Sequence, residues 1–333
     1  MIGLQLPRAR GPVRAAACLV LAAGALLLSS AVSFAQTVLR VGHFPNVTHA
    51  QGLVAHALSR QGKGWFEQRL GPDVTIQWFV YNAGPSAMEA ILAKSIDLTY
   101  VGPNPAINAY AKSRGAEVRI IAGAANGGSA LVIQGNSSLK TPADFRGKTI
   151  ATPQLGNTQD VAARSWLVAG GLRITQMGGD ARVVPTANPD QLLLFKSRQL
   201  DGVWTVEPWL SRLETEAGGK ILVEQPDAIT TVLVARADFL ASRRELVRKF
   251  AAAHEALTDW IIANPAEAQK LVTEELAAET RTKVSADVIV RAWKRITQTH
   301  EISRDAMAKL VTSAQAVGFL RDVPDLSRLI EKP

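Results

Sequence analysis

Short apolar runs alternate with amphipathic segments along most of this chain. The apolar runs are rich in β-branched residues and are bounded by Gly, Pro, Asn or Asp, a pattern typical of strands. Ten of these runs are predicted to be strands: Val38–Val41, Val74–Tyr81, Leu98–Val101, Val118–Ala122, Ala130–Gln134, Thr149–Ala151, Ala181–Val184, Gly202–Thr205, Ile221–Val223 and Thr231–Ala235. Segments of helical periodicity separate most of them: His49–Gln61, Ser86–Lys94, Pro105–Arg114, Thr158–Ala169 and Pro189–Ser197. The alternation predicts an α/β protein with largely parallel sheets.

Two of the predicted strands end in the same kind of turn. One runs into Asn82-Ala83-Gly84-Pro85-Ser86, and the other into Gly102-Pro103-Asn104-Pro105. A Gly-Pro turn between a strand and a helix-like segment presents the start of a helix. Ligands of open parallel sheets bind beyond the carboxyl ends of the strands. Both turns are therefore candidates for a binding site.

The order of the segments predicts two lobes. The Gly-rich segment 123–128 is a natural place for the chain to cross to a second lobe, and a return is expected near residues 225–231. We predict one lobe from residues 36–124 and 230–333, a second from 125–229, and a cleft between them. From Arg243 onward the pattern is almost purely helical, which predicts a helical C-terminal tail on the first lobe. Ile91–Val101 and Leu194–Trp204 echo each other, since each runs from a helix end through an Asp into a strand.

Residues 1–35 have the composition of a secretory signal peptide. Three arginines precede an apolar run from Ala15 to Leu28, and Ser33-Phe34-Ala35 places small residues where a signal peptidase cuts. The run is shorter than the roughly 20 residues of a spanning helix, although a membrane anchor is the alternative. Cys18, the only cysteine, would leave with the signal, so the mature chain is predicted to lack disulfides, cysteine nucleophiles and thiolate zinc sites. Removing these arginines lowers the net charge from +8 to +5.

The mature sequence resembles the substrate-binding proteins of bacterial ABC importers for aliphatic sulfonates, taurine and nitrate. The resemblance is carried by NAGPSAMEAILAKSIDLTYVGPNPAI (Asn82–Ile107), LKTPADFRGKTIATPQLGNTQD (Leu139–Asp160) and LDGVWTVEPW (Leu200–Trp209). It implies the bilobal periplasmic-binding-protein fold of type II, with two hinge crossings. It also implies a periplasmic, monomeric protein that closes on one small anionic or zwitterionic solute and delivers it to an ABC permease and its ATPase.

The segments at the predicted strand ends contain no Lys or Arg and are rich in Ser, Thr, Asn and Gly. Helix starts carry unpaired N–H groups and a partial positive charge, so they can hold an anion without a basic side chain. The alternative for the same residues is ordinary helix capping. The candidate ligand contacts are His43, Phe44, Asn46, Gly84, Ser86, Gly102, Asn104, Gln154, Asn157, Thr158, Asp160, Thr205 and Glu207.

Two acidic residues of this set, Asp160 and Glu207, are unexpected in an anion site. Either the ligand also carries an amine, as taurine does, or Glu207 orients a neighbouring N–H group or arginine and never touches the ligand. Among the aromatic residues, Phe44 is the best candidate for an apolar wall, whereas core packing is the expectation for Trp204. His43 is expected at the ligand and His49 at a helix start, and neither has the spacing of a metal site.

The sequence offers little for catalysis or nucleic-acid binding. It has no Gly-x-Ser-x-Gly, no P-loop and no Gly-x-Gly-x-x-Gly, and its Lys and Arg residues are scattered. We expect neither enzyme activity nor a cofactor, a metal ion or a nucleic-acid partner. Three alternatives to sulfonate or taurine transport remain open: a nitrate or bicarbonate binder, a binder of a thiamine-precursor pyrimidine, and a periplasmic sensor ligand domain.

Overall fold

Two mixed β-sheets, each covered by helices on both faces, organise the chain. A computed structural model describes residues 1–3, 36–176, 178–321 and 325–333. The strands are β1 Thr37–His43, β2 Val74–Val80, β3 Leu98–Val101, β4 Val118–Gly127, β5 Ser129–Gln134, β6 Thr149–Thr152, β7 Ile174–Thr175, β8 Gly178–Gly179, β9 Arg182–Pro185, β10 Gly202–Val206, β11 Gly219–Glu224, β12 Ile229–Arg236 and β13 Ile296–Gln298.

The helices fall mainly between the strands and after β12. They are α1 Ala50–Arg60, α2 Trp65–Leu70, α3 Gly84–Leu92, α4 Pro103–Lys112, α5 Thr158–Ala169, α6 Asn188–Lys196, α7 Trp209–Ala217, α8 Ala237–Ser242, α9 Arg244–Ala263, α10 Pro265–Thr280, α11 Ala286–Trp293 and α12 Arg304–Ala316. Short 3-10 turns occupy Val47–His49, Pro142–Phe145 and Leu326–Arg328. Among the described helices, none is both long and apolar enough to cross a membrane.

The six-stranded sheet has the order β13-β4-β12-β3-β1-β2, and the five-stranded sheet has the order β11-β5-β10-β6-β9. Strands β1, β2 and β3 are parallel, as are β6, β9 and β10. The remaining pairings in these two sheets are antiparallel, and they involve β12 and β13 in the larger sheet and β5 and β11 in the smaller one. Strands β7 and β8 form a separate antiparallel pair. The sheets are therefore more mixed than the sequence pattern suggested, because the strands adjoining the two crossings run against their neighbours.

The chain passes between the sheets twice. It leaves the larger sheet at the end of β4 and enters the smaller one after Gly128, and it returns between Glu224 and Ile229. Gly127 and Gly128 both have positive φ angles, of 76° and 64°, which favour glycine. The lobe boundaries given above remain a prediction, and residues 4–35 of the predicted signal peptide lie outside the described residues.

The core follows the alternation of the strands. In β12, Val232 and Val234 pack under α3, α4 and α12, whereas Leu233 and Ala235 pack under α1, α9 and α10. The smaller sheet behaves in the same way, since Leu131 and Val132 enter opposite apolar clusters. Successive side chains of a strand point to opposite faces, so both sheets are buried on two sides.

The sequence echo corresponds to the same local structure in the two sheets. The backbone N–H of Asp97 donates to the carbonyl of Arg40, and a carboxylate oxygen of Asp97 accepts from the Arg40 N–H at 3.0 Å. Asp201 and Thr149 exchange the same two bonds, at 3.0 and 2.9 Å. Each aspartate thus ties the start of one parallel strand to its neighbour.

Candidate ligand-binding site

A small cavity lies where loops from the two sheets meet. From the larger sheet, Phe44 and Asn46 follow β1, Asn82 and Gly84 follow β2, and Gly102 follows β3. The smaller sheet contributes residues after β6 and at the end of β10, namely Pro153, Asn157, Thr158, Gln159 and Val206. All these loops come after parallel strands, which is where open α/β sheets bind ligands.

Three helix N-termini face this cavity, two from the larger sheet and one from the smaller. Ala83 and Gly84 line it at the start of α3, Gly102 at the start of α4, and Thr158 at the start of α5. A helix start carries roughly half a positive charge. The described residues that line the cavity include no Lys, Arg, Asp or Glu. The positive field therefore comes from the backbone.

Thr158 provides the clearest polar group of the site. It is only 7% exposed, and its hydroxyl oxygen has no hydrogen-bond partner among the described residues. Asn157, the N-cap residue of α5, accepts from the Asp160 N–H at 2.8 Å and is thereby fixed in place. A buried hydroxyl without a partner is costly, so Thr158 is suited to donate to a ligand.

The cleft has two walls, one formed by the loops of the larger sheet and one by the loops of the smaller sheet, and they are in direct contact. Ser86 Oγ donates to Gln154 Oε1 at 3.1 Å, and Trp209 Nε1 donates to Asn46 Oδ1 at 3.0 Å. A Cβ atom added to Gly102 would overlap the Thr158 hydroxyl. The wall contacts leave a cavity of about 20 Å³, close to the room that one water molecule needs.

A second, larger cavity of about 310 Å³ adjoins the first and shares Pro105 with it. Its apolar lining includes Met88, Leu92, Leu155 and Phe319, of which Leu92 and Leu155 are about 40% exposed. Glu89 and Lys112 stand on its rim as the charged lining residues. The pair of cavities thus combines a polar inner end with an apolar outer end.

Phe44 and His49 form one wall of the inner cavity. Their ring centroids are 4.3 Å apart with the planes tilted by 31°. His49 is fully buried, and its desolvation, reinforced by the nearby His43, holds the pKa of the His49 imidazole well below its ordinary value. His49 is therefore neutral near neutral pH and adds a polar edge without a charge. Its Nδ1 has no partner among the described residues.

A model of the NMT1-like family matches residues 34–276. The chain belongs to the NMT1-like family. This NMT1-like protein is 24% identical over 313 residues, 90% of both chains, to a Brucella abortus (strain 2308) protein named a binding protein.

Two solved structures show the fold of this NMT1-like protein. The alkanesulfonate-binding protein SsuA from Xanthomonas axonopodis pv. citri, solved with MOPS, has a TM-score of 0.70 at 19% identity and covers 89% of this chain and 98% of its own. The periplasmic nitrate-binding protein NrtA from Synechocystis PCC 6803 has a TM-score of 0.67 at 15% identity and covers 87% and 83%. This structural similarity shows that the chain has the bilobal periplasmic-binding-protein fold.

Seven of the residues expected at the ligand do not line the inner cavity of this NMT1-like protein, and five of them are held elsewhere in the fold. His43 and Asn104 are buried behind the wall of the larger sheet, and Thr205 Oγ1 donates to Asn188 Oδ1 at 3.1 Å inside the smaller sheet. The other two are the acidic residues Asp160 and Glu207. Ser86 and Gln154 lie at the contact between the walls, outside the lining.

Asp160 holds the loop that precedes α5. Its carboxylate accepts from Thr152 Oγ1 at 2.9 Å, from the Gly156 N–H at 2.9 Å and from Arg164 Nε at 3.0 Å. Arg164 is itself 1% exposed and also donates to the carbonyl of Val183. With every carboxylate contact made inside the protein, Asp160 positions Asn157 and Thr158 and is not directed at the cavity.

Glu207 adopts the second of the two arrangements predicted for it, in which it orients an arginine and an N–H group. Its carboxylate accepts from the Ser211 N–H at 3.1 Å, from Ser211 Oγ at 2.9 Å and from Arg295 Nη1 at 3.0 Å. Burial raises the pKa of Glu207, and the hydrogen bonds from Arg295 and Ser211 oppose that shift. Glu207 thus orients an arginine and an N–H group, with no exposed surface left for an amine.

Nine residues that line the inner cavity are absent from the candidate ligand contacts. Four of them, Asn82, Ala83, Pro105 and Pro153, lie in or beside the turns that follow β2, β3 and β6. The other five have different local settings. Thr48 and His49 belong to a 3-10 turn, Gln159 follows a helix N-cap, Val206 ends a strand, and Thr230 lies on an antiparallel crossing strand. Val206 and Gln159 could have been predicted, because ligands of open parallel sheets bind beyond the carboxyl ends of the strands. Thr230 could not have been predicted in this way, because that residue comes near the beginning of its strand.

Proposed function

We propose that this protein is the extracytoplasmic solute-binding component of an ABC importer. It binds a small organic anion, an aliphatic sulfonate or a similar molecule, in the cleft between its two sheets. One observation carries the proposal. Helix N-termini from both sheets converge on one cavity with the Thr158 hydroxyl, and in the part of the chain that the structure describes this hydroxyl has no partner and no Lys, Arg, Asp or Glu lines the cavity. Such a site attracts an anion by backbone dipoles and selects it by hydrogen-bond geometry.

The adjoining apolar cavity supports an organic anion over nitrate or bicarbonate. The negatively charged head would sit at the helix starts, and an alkyl tail would extend past Pro105 towards Met88 and Phe319. A ligand amine would find no carboxylate at the inner cavity, since Asp160 and Glu207 are engaged elsewhere. The geometry therefore favours a simple alkanesulfonate over taurine.

Binding of such a ligand requires the two walls to separate. The inner cavity is too small for a sulfonate group, so the contacts between Ser86 and Gln154 and between Asn46 and Trp209 must open first. The two chain crossings near Gly128 and 225–228 are the natural hinge, with lobes as predicted from the sequence. A ligand that touches both walls favours the closed form, which an ABC permease would recognise in the periplasm. The role is delivery without chemical turnover.

A thermal-shift and calorimetric screen with methanesulfonate, hexanesulfonate, taurine, nitrate and a hydroxymethylpyrimidine tests the proposal. We expect hexanesulfonate to bind best, because it fills both cavities. Phe319→Ala should weaken hexanesulfonate binding and leave methanesulfonate binding unchanged. Tightest binding of nitrate or the pyrimidine, or turnover of any bound ligand, would contradict the assignment.

A matched pair of threonine variants tests the geometry. Thr158→Val removes a hydroxyl without an internal partner, so it should weaken sulfonate binding about tenfold to a hundredfold, given ~1.5–3 kcal/mol for a hydrogen bond to a charged group. The melting temperature without ligand should stay nearly constant. Thr205→Val removes a hydroxyl that is bonded internally, so it should lower stability and leave affinity unchanged. The reverse pattern would place the ligand elsewhere.

A further inference from the structure

Two histidines and a glutamate meet at the carboxyl end of β1, and these three residues are not among those that line the ligand cavity. His43 is at the end of β1, His56 on α1 and Glu279 on α10. Their nearest atoms form an almost equilateral triangle. His43 Nε2 is 3.1 Å from His56 Nδ1, and Glu279 Oε1 is 3.0 Å from each of these two nitrogens. The side chains of His43 and Glu279 are at most 1% exposed, and that of His56 is 11% exposed.

Hydrogen bonds alone cannot satisfy this triangle. An imidazole nitrogen offers either one N–H or one lone pair, and an ionised carboxylate only accepts. If both nitrogens carry protons, their N–H groups oppose each other; if only one does, the lone pair of the other faces the carboxylate. At least one of the three contacts is repulsive in either case. A cation at the centre makes all three attractive.

The distances match those around a tetrahedral metal ion. Bonds of about 2.0–2.1 Å from zinc to nitrogen and oxygen place neighbouring ligand atoms about 3.3 Å apart in a tetrahedron. The observed separations of 3.0–3.1 Å need shifts of only a few tenths of an ångström. Two imidazoles and one carboxylate are also a donor set that zinc accepts, with the fourth position open to water.

The surroundings hold these rings in place and add negative charge. Trp78 stacks on His56 at 5.3 Å and meets the edge of His43 at 5.5 Å. A second carboxylate, Glu275, lies 2.9 Å from His56 Nδ1 and also accepts from Arg60 Nε. His43 Nδ1 has no hydrogen-bond partner among the described residues, so packing against Trp78 fixes its ring.

From this arrangement we propose that His43, His56 and Glu279 bind a zinc-type divalent cation, at a site separate from the ligand cleft. The ion enters beside His56, the partly exposed member. It joins β1 to α1 and α10, and thereby ties the helical C-terminal region to the sheet. The three residues are distant in sequence and follow no metal-binding spacing, so the sequence predicted no metal here.

The test uses the full mature protein, treated with a chelator and then titrated with ZnCl₂ by calorimetry. We expect one equivalent to bind and the melting temperature to rise. Glu279→Gln and His56→Ala should each weaken binding at least tenfold. The control is His300→Ala, since His300 lies near two carboxylates on the exposed surface, at 3.7 and 3.5 Å, and its loss should leave the titration unchanged.

Cobalt gives a readout that does not depend on the variants. Co²⁺ in the wild-type protein should show the intense visible absorption of a four-coordinate ion, and ZnCl₂ should displace it. A protein that binds neither ion at one equivalent, or a Glu279→Gln variant that folds and binds zinc as tightly as the wild type, would overturn the proposal. These outcomes do not depend on whether a sulfonate binds in the cleft.

Discussion

Replacing Arg295 should show how much its ion pair with the buried Glu207 stabilises the fold. It precedes β13 of the larger sheet, yet its guanidinium reaches the side of the smaller sheet. Arg295 Nη1 lies 3.0 Å from Glu207 Oε1 and 2.8 Å from Glu214 Oε2. Glu207 is fully buried and Arg295 is 17% exposed. Arg295→Ala therefore leaves the Glu207 carboxylate inside the protein with Ser211 as its one remaining hydrogen-bond donor among the described residues.

The expected loss follows from burial and charge. Two opposite unit charges about 4 Å apart attract by ~4 kcal/mol at an effective dielectric constant of 20. Removing one partner of a buried ion pair costs about 3–5 kcal/mol, because the other charge stays buried. Ser211 keeps both of its bonds to Glu207. We therefore expect the free energy of unfolding to fall by about 3 kcal/mol at pH 8.

The pH dependence gives the sign of the effect. Burial already raises the pKa of Glu207 above its ordinary value, and loss of Arg295 raises it further. A folded state with a raised carboxyl pKa prefers the protonated form, so its stability falls as the pH rises above the pKa of the unfolded chain. The deficit of Arg295→Ala should thus be largest at pH 8 and smaller at pH 5.

Urea unfolding followed by tryptophan fluorescence at both pH values measures these quantities. A double-mutant cycle with Glu207→Gln isolates the pair, since Arg295→Ala should cost less once Glu207 carries no charge. Arg248→Ala is the control, because its partner Glu245 is on the surface, and its stability should match the wild type. A cost below about 1 kcal/mol at pH 8, far under the usual value for a buried pair, or a cost unchanged in the Glu207→Gln background, would refute the reasoning.

Three further predictions follow from single contacts. Gly102→Ala should weaken binding of hexanesulfonate in calorimetry with little change in stability, since the new Cβ overlaps Thr158 across the closed cleft. The pKa of His254 is lowered to about 4 by burial; the unfolded chain therefore takes up a proton that the native state does not, and stability should fall by about 3 kcal/mol from pH 6.5 to 4. Urea titrations should show this fall in the wild type and a smaller one in His254→Leu. Phe66→Ala removes a ring stacked on Phe250 at 4.0 Å and should cost about 3–5 kcal/mol in urea unfolding, with sulfonate affinity unchanged.

Much of the fold could be predicted from local patterns. Each of the ten predicted strands corresponds to a strand of the structure, and each of the five predicted helices to a helix. The elements that were not predicted are short, or are stabilised by pairing with residues that are distant in sequence. Strand β13 has three residues and pairs with β4. Helices α2 and α7 have only six and nine residues, too short for a long periodic pattern.

The candidate site was harder to predict, because residue type and strand-end position do not reveal which way a side chain points. Phe44 and His43 are adjacent, yet one lines the ligand cavity and the other enters the histidine and glutamate cluster. A strand turns successive side chains to opposite faces. The identity of each face depends on which helices cover it, and α10 comes more than two hundred residues later.

The sequence alone determined the order of strands and helices and the glycine and proline turns that start α3 and α4. These depend on neighbours along the chain, because backbone preferences and apolar periodicity are local properties. Asp160 pairs with Arg164 one turn along the same helix, but only the tertiary structure decided that Glu207 pairs with Arg295 instead of a ligand. A buried carboxylate needs a partner, and that partner can lie anywhere in the sequence that folding brings within about 3 Å.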